Sequence, residues 1–210
     1  MRHCLMSLDK WTYVEAENLW MSPKGRATFV ALDRKFKSKK STRADDNGQF
    51  AVTLIFPPSI EHKPIKDALQ EVVKEEFPGS DLFNPAKSKV KGLKNPLRKA
   101  DEVVADITSK GEEVDLEGWM MARANSFRSR PVVRNSRGEV VDEDDLAVEA
   151  YSGRWMRILV RPATYNNESS GAKFYLEGVQ LLANDDAIGG FKQTDGSAFT
   201  PVDDEAEDDI

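Results

Sequence analysis

The chain of 210 residues carries 30 Lys and Arg against 36 Asp and Glu, 40% hydrophobic residues and a single cysteine. That length suits one domain with appendages, and one cysteine excludes an intramolecular disulfide and a cysteine-based zinc cluster. No apolar run approaches the roughly 20 residues a bilayer requires, and the first 20 residues hold no uninterrupted apolar stretch, so neither a membrane span nor a signal peptide is expected.

The net charge of −6 is unevenly placed. Asp203, Asp204, Glu205, Glu207, Asp208 and Asp209 form a run with no base. Setting those six apart from the 36 acids leaves 30, which balances the 30 Lys and Arg. The body is therefore formally neutral, and the excess negative charge sits in the tail. An acidic isoelectric point would argue against a polyanionic partner only if the charge were evenly spread.

Residues 1–21 have no clear period and read as an N-terminal extension, either an arm or an extra edge element. Within them Cys4 reads as a free thiol of a reducing cytoplasm. From Ser22-Pro23-Lys24-Gly25 the texture changes, and Arg26 to Leu32 predicts a first strand rich in Thr, Phe and Val. Arg34 to Arg43 follows with six cations and no acid, among them Lys35, Lys37, Lys39, Lys40 and Arg43. Asp45-Asp46-Asn47-Gly48 is a turn, Asn-Gly accepting positive φ, and Gln49 to Phe56 is a second strand bounded by Pro57-Pro58.

From Pro64 to Phe77 the residues Ile65, Leu69, Val72, Val73 and Phe77 recur at helical spacing. Pro64 suits the first turn, and Pro78-Gly79 ends the helix. Phe83 to Lys99 is irregular and basic and includes Lys87, Lys89, Lys91 and Lys94. Residues 100–117 carry no assignable pattern. Three further strands follow: Gly118 to Phe127, Arg154 to about Tyr165, and Lys173 to Ala183. After Gly189-Gly190 the composition predicts disorder to the end.

These elements predict a mainly β domain over residues 22–190, a small closed five-stranded antiparallel barrel with one main helix and long inserted loops. Residues 191–210 form the acidic tail. An open antiparallel sandwich fits the same spacing.

Alternation places the candidate residues. In the strand beginning at Trp155, one face receives Met156, Ile158 and Val160, the other Trp155, Arg157, Leu159 and Arg161. In the strand beginning at Trp119, Met120, Ala122 and Ala124 oppose Trp119, Met121, Arg123, Asn125 and Phe127. Aromatic planes beside cations suit an unpaired nucleotide, since bases stack for roughly 1–3 kcal/mol each while cations neutralise phosphate. Trp119, Phe127 and Trp155 are the stacking candidates. Core tryptophans with surface-paired arginines remain the structural alternative. Arg128 and Arg130 join Arg123 in a third basic segment, and three such segments beside a barrel would track a phosphate backbone.

Catalysis finds little support. The only histidines, His3 and His62, lie outside metal-ligand spacing, and no Gly-rich phosphate loop occurs. No metal and no cofactor are expected. Glu61-His62-Lys63 offers the Glu-x-Lys of a metal-dependent nuclease without an upstream strand Asp to complete it.

In order and spacing the chain resembles the single-stranded-DNA-binding proteins of tailed bacteriophages, of the OB-fold type with an acidic C-terminal tail. Pro23-Lys24-Gly25, Phe50 to Phe56, Gly118-Trp119 with Ala122, Tyr151-Ser152-Gly153, and Gly178-Val179-Gln180 leading to Gly189-Gly190 carry the resemblance. It implies coating of single strands in phage replication, recombination and repair in the host cytoplasm, with replication or recombination proteins contacting the tail. The tail ends in Ile210 rather than an aromatic residue, which departs from tails of this functional class. A Mg²⁺-dependent nuclease or other DNA-processing enzyme is the competing reading, and a virion or scaffold protein a third. The oligomeric state, a homo-oligomer included, stays open.

Overall fold

A computed structural model describes residues 8–37, 47–103 and 116–188. His3, Cys4, Lys39, Lys40, Arg43, Asp45, Asp46 and the acidic tail from Asp203 to Asp209 lie outside the described residues. In chain order the strands are β1 (Thr12–Val14), β2 (Leu19–Met21), β3 (Gly25–Phe36), β4 (Gln49–Phe56), β5 (Leu97–Lys99), β6 (Met120–Ser126), β7 (Val132–Arg134), β8 (Trp155–Asn166) and β9 (Ser170–Leu181). Helix α1 (Lys63–Glu76) follows β4, and a short helix α2 (Leu146–Glu149) precedes β8.

The five strands expected from the sequence are β3, β4, β6, β8 and β9, and their pairings form a ring. β3 pairs with β4, β4 with β6, β6 with β9, β9 with β8, and β8 returns to β3. Two seams are short: Ala124↔Phe174 and Asn125↔Tyr175 join β6 to β9, while Gly25↔Met156 and Arg26↔Trp155 join β8 to β3. The result is a partly open barrel of the OB type. One feature departs from the antiparallel expectation: the β6–β9 seam is parallel. An odd number of strands cannot alternate direction all the way round a ring, so one seam must run parallel.

The alternation predicted for β6 and β8 holds. Ala122, Ala124, Met156, Ile158 and Val160 are buried in the main core with Val52, Leu54, Phe56, Phe174 and Leu176. α1 lays Ile65, Leu69 and Val73 into the same core, each fully buried, and each such side chain contributes about 1.5–3 kcal/mol. β4 is also covered on its outer side at one end, where Ile55 joins Met121, Leu116, Ala100 and Ile188 in a second small cluster. That double burial is why β4 reads as an almost continuous apolar run.

In β3 the ladder slips between Thr28 and Ala31, and Phe29 there takes φ of 49° with its ring exposed. The β3–β8 seam ends before this bulge because β8 itself begins at Trp155.

The N-terminal segment supplies the edge element, since β1 and β2 form a hairpin whose β2 pairs with β8 through Trp20↔Val160 and Met21↔Leu159. It is also tied into the core. Trp11 is 3% exposed, with its ring 5.8 Å from Phe56 and 5.9 Å from Phe174. Its indole N–H donates to Nδ1 of His62 at 3.0 Å.

Because Nδ1 accepts that bond, His62 must be neutral to make it. Burial, aided by the positive charge of Lys66, lowers its pKa to about 4. The unfolded chain therefore takes up a proton near the ordinary value of about 6.5 that the folded chain refuses until about pH 4. Stability should fall as pH drops through that window, by on the order of 2–3 kcal/mol. Denaturant midpoints of the protein and of His62→Gln between pH 7 and pH 4.5 check this. The variant should lack the His62-dependent part of the decline, and parallel curves would remove the effect.

Candidate nucleic-acid interface

Beyond the second cluster, the outer face of β6 is open. Arg123 and Asn125 point outward from the strand, and Phe127 follows just past its end, 49% exposed. The parallel seam sets Asn125 beside Tyr175 of β9. On β9, Lys173 and Tyr175 alternate with buried Ala172, Phe174 and Leu176, so both face the same way as Arg123. β8, on the far side of β9, brings Arg161 opposite Tyr175 and Tyr165 opposite Gly171.

The group centres on Lys173. Its Nζ lies 4.2 Å from the ring centre of Tyr175, 5.7 Å from that of Tyr165 and 5.8 Å from that of Phe127. The Arg161 guanidinium lies 5.9 Å from Tyr175 and also pairs with Glu177. Such contacts are worth about 0.5–1 kcal/mol each at exposed sites, so they bias the ring positions without fixing them.

An open cleft of about 450 Å³ runs past this group, walled by Phe127 and Tyr165 and lined by Lys94, Arg98, Arg123 and Lys173. Among the described residues no carboxylate lines it. Lys94 is brought there by main-chain stitching: its N–H donates to Ser170 O at 3.0 Å, and its carbonyl accepts from Ala172 N at 2.9 Å. Gly171 permits that approach, because a Cβ there would stand 2.5 Å from Lys94 O. Desolvation, and then the nearby positive charge of Arg98, push the Arg123 guanidinium below its ordinary pKa. The group remains charged, since arginine does not deprotonate in proteins. Two cations held together in an acid-free lining favour an anion between them. The amide oxygen of Asn125 is buried without a hydrogen-bond partner at the edge of the same cleft.

The remaining sequence-predicted residues are scattered more widely. Lys35 lies at the rim, its Nζ donating to Phe127 O at 2.8 Å, and Arg128 and Lys37 are exposed. Arg130 is engaged, donating to Asp33 O at 2.7 Å and pairing with Glu143. Lys87 and Lys89 are exposed on the loop before β5, and Lys91 Nζ donates to Pro85 O at 3.1 Å.

Arg157 is bound to Gln180 Oε1 at 2.7 Å and faces a different groove, lined by Leu19, Met21, Val132 and Glu177. Trp119 is half-buried against the second cluster. Trp155 donates to the Asp185 carboxylate at 2.8 Å with Lys24 5.1 Å from its ring. Trp155 stands ten residues from Tyr165 on one strand, roughly 33 Å at strand rise, so neither tryptophan shares the cleft with Phe127. Of Glu61-His62-Lys63, His62 turns inward to Trp11 and Lys63 pairs with Asp67. Among the described residues no three His, Cys, Asp or Glu side chains gather as a metal site, and no helix is long and apolar enough to cross a membrane.

Sequence reasoning missed Lys173, Tyr175 and Tyr165, and it held Arg98 within the basic stretch from Phe83 to Lys99 without singling it out. Alternation applied to β9 as it was to β6 and β8 would have put Lys173 and Tyr175 on the outward face.

The ring of strands, with a cleft on its outer face lined by cations and aromatic rings, defines a partly open barrel of the OB type. A family model described as Enterobacter phage Enc34, ssDNA-binding protein, matches residues 24–210, and the chain belongs to that family. The fold is similar to the single-stranded DNA-binding protein from bacteriophage Enc34 in complex with ssDNA, at TM-score 0.58 and 19% identity over 81% of this chain and 89% of that one. It is also similar to gp2.5, a single-stranded DNA-binding protein encoded by bacteriophage T7, at TM-score 0.54 and 15% identity over 92% of this chain and 99% of that one. No curated protein matches the chain by sequence.

Proposed function

We propose that the chain binds single-stranded DNA, largely without regard to sequence and without cleaving it. The observation that carries this reading is the cleft that Lys94, Arg98, Arg123 and Lys173 line together with Phe127 and Tyr165, with no carboxylate among its described lining residues and Tyr175 beside Lys173. Bases stack on the rings, and any base has a π-face, so discrimination among sequences is weak. Phosphates are neutralised by the cleft cations and, along the flanks, by Lys35, Lys37, Arg128 and Lys87. Membership in the phage family supports the same reading, and the role we propose for such binding is coating strands during phage replication and recombination in the host cytoplasm.

Anisotropy titration of labelled oligo-dT beside a duplex of equal length, with Mg²⁺ present, tests it. Salt-sensitive binding preferring the single strand, with the DNA left intact, is expected. Cleavage would establish a processing enzyme instead, and no binding at low salt would remove the nucleic-acid reading.

The acidic run from Asp203 to Asp209 competes with DNA for the cationic face and, once displaced, is free for replication or recombination proteins. Deleting residues 203–210 should therefore tighten oligo-dT binding, most visibly at low salt where the charges are least screened. Equal affinity of the truncated and full chains across salt would dispose of the competition.

A further inference from the structure

A second aromatic platform lies on the helix side of the barrel, at Phe83. Its ring is 36% exposed, and Lys66 Nζ of α1 stands 5.8 Å from the ring centre. An exposed ring on a loose loop would say little, but this loop is held at several points. The Asp81 carboxylate accepts the N–H groups of Phe83 and Asn84, each at 2.9 Å. Gln70 of α1 donates to Ser80 O and accepts from Leu82 N, both at 2.9 Å. Leu82 is buried at 4% exposure, which leaves Phe83 as the outward residue of a fixed turn.

From Phe83 the chain leads to the cleft. Exposed Lys87 and Lys89 follow, then Lys94, which lines the cleft itself. The stretch from Phe83 to Lys94 contains no acid. Its reach is short because it doubles back: Lys89 N donates to Gly79 O at 3.3 Å, and Val90 N to Ser80 Oγ at 3.1 Å. Phe83 thus presents a partly exposed aromatic ring with a cation beside it, joined to the cleft by a basic stretch.

We infer that Phe83 with Lys66 is an outlying stacking site for single-stranded nucleic acid, occupied only when the strand is long enough to run from the cleft along Lys94 and Lys87. This rests on the function proposed above. The chemistry recognised is one nucleobase, of any sequence, on the Phe83 face, with its phosphate on Lys66 or Lys87.

The test is length dependence. The full chain, Phe83→Ala and Phe83→Leu are titrated with oligo-dT of about 6 and about 16 nucleotides, the span of site sizes for OB folds. Both variants should bind the short strand as the parent does and the long strand roughly 5- to 100-fold more weakly, the equivalent of removing one base stack. Phe83→Leu keeps the apolar bulk, so full affinity in that variant would overturn stacking. Equal weakening at both lengths, or none at the longer, would overturn the outlying site. Failure of the parent protein to bind either strand would instead overturn the proposed function.

Discussion

Reversing Arg123 and Lys173 together to Glu should weaken oligo-dT binding by at least about a hundredfold, since a hydrogen bond to a charged group contributes roughly 1.5–3 kcal/mol. Both cations line the cleft, on adjacent strands joined by the parallel seam, so one strand of DNA meets both. Single-strand affinity falls with salt by about 0.7 in log–log slope per neutralised phosphate, so the variant's slope should be shallower by roughly 1.4 or more. Both side chains lie on the outer face of the barrel, away from the core. Thermal midpoint and circular dichroism should therefore stay near those of the parent. A variant that keeps the parent's slope would show that the strand passes elsewhere, on the loop cations alone.

The second large effect is on folding. Trp11→Ala should lower stability by about 3–5 kcal/mol, the usual range for truncating a buried large aromatic. The indole closes one end of the barrel over Phe56 and Phe174 and is itself hydrogen-bonded to His62. Its removal leaves a cavity and strips the buried Nδ1 of its donor, and the two effects add in the same direction. Denaturant unfolding of the full chain reads the change directly. Trp20→Ala, on the partly buried β2 that packs at the core's margin, should destabilise less. Equal modest effects at both positions would mean that the N-terminal hairpin is an appendage after all.

These two residue groups mark where the sequence was legible and where it was not. β4 came out with its bounds correct because Pro57-Pro58 and the Asn-Gly turn punctuate it on both sides, and Gly48 does take φ of 73°. The phases of β6 and β8 were legible because small and aliphatic residues recur at every second position while the arginines all fall on the positions between. Phase, however, specifies a face and not a position along it. Trp119, Arg123 and Phe127 share one face of β6, yet the Trp119 end is covered by Ile188 and Leu116 while the Phe127 end opens into the cleft.

The grouping of Phe127, Tyr165 and Lys173 depends on the parallel β6–β9 seam, which joins strands distant in sequence and leaves no local pattern. Trp11 was illegible for a related reason. It is one aromatic in a segment without periodicity, and the hole it fills exists only once β4, β9 and the start of α1 have come together. Lys173 and Tyr175 were within reach, since Phe174 and Leu176 fix the phase of β9 from sequence alone.

A bound strand lying in the cleft is the central claim, and a reporter placed there tests it most directly. Phe127→Trp keeps an aromatic plane at the cleft wall and adds a fluorophore to the four native tryptophans. Titration with oligo-dT should quench this variant markedly more than the parent, whose Trp119 and Trp155 lie outside the cleft. Strong quenching of the parent with no further change in Phe127→Trp would place the strand on the native tryptophans and contradict the cleft.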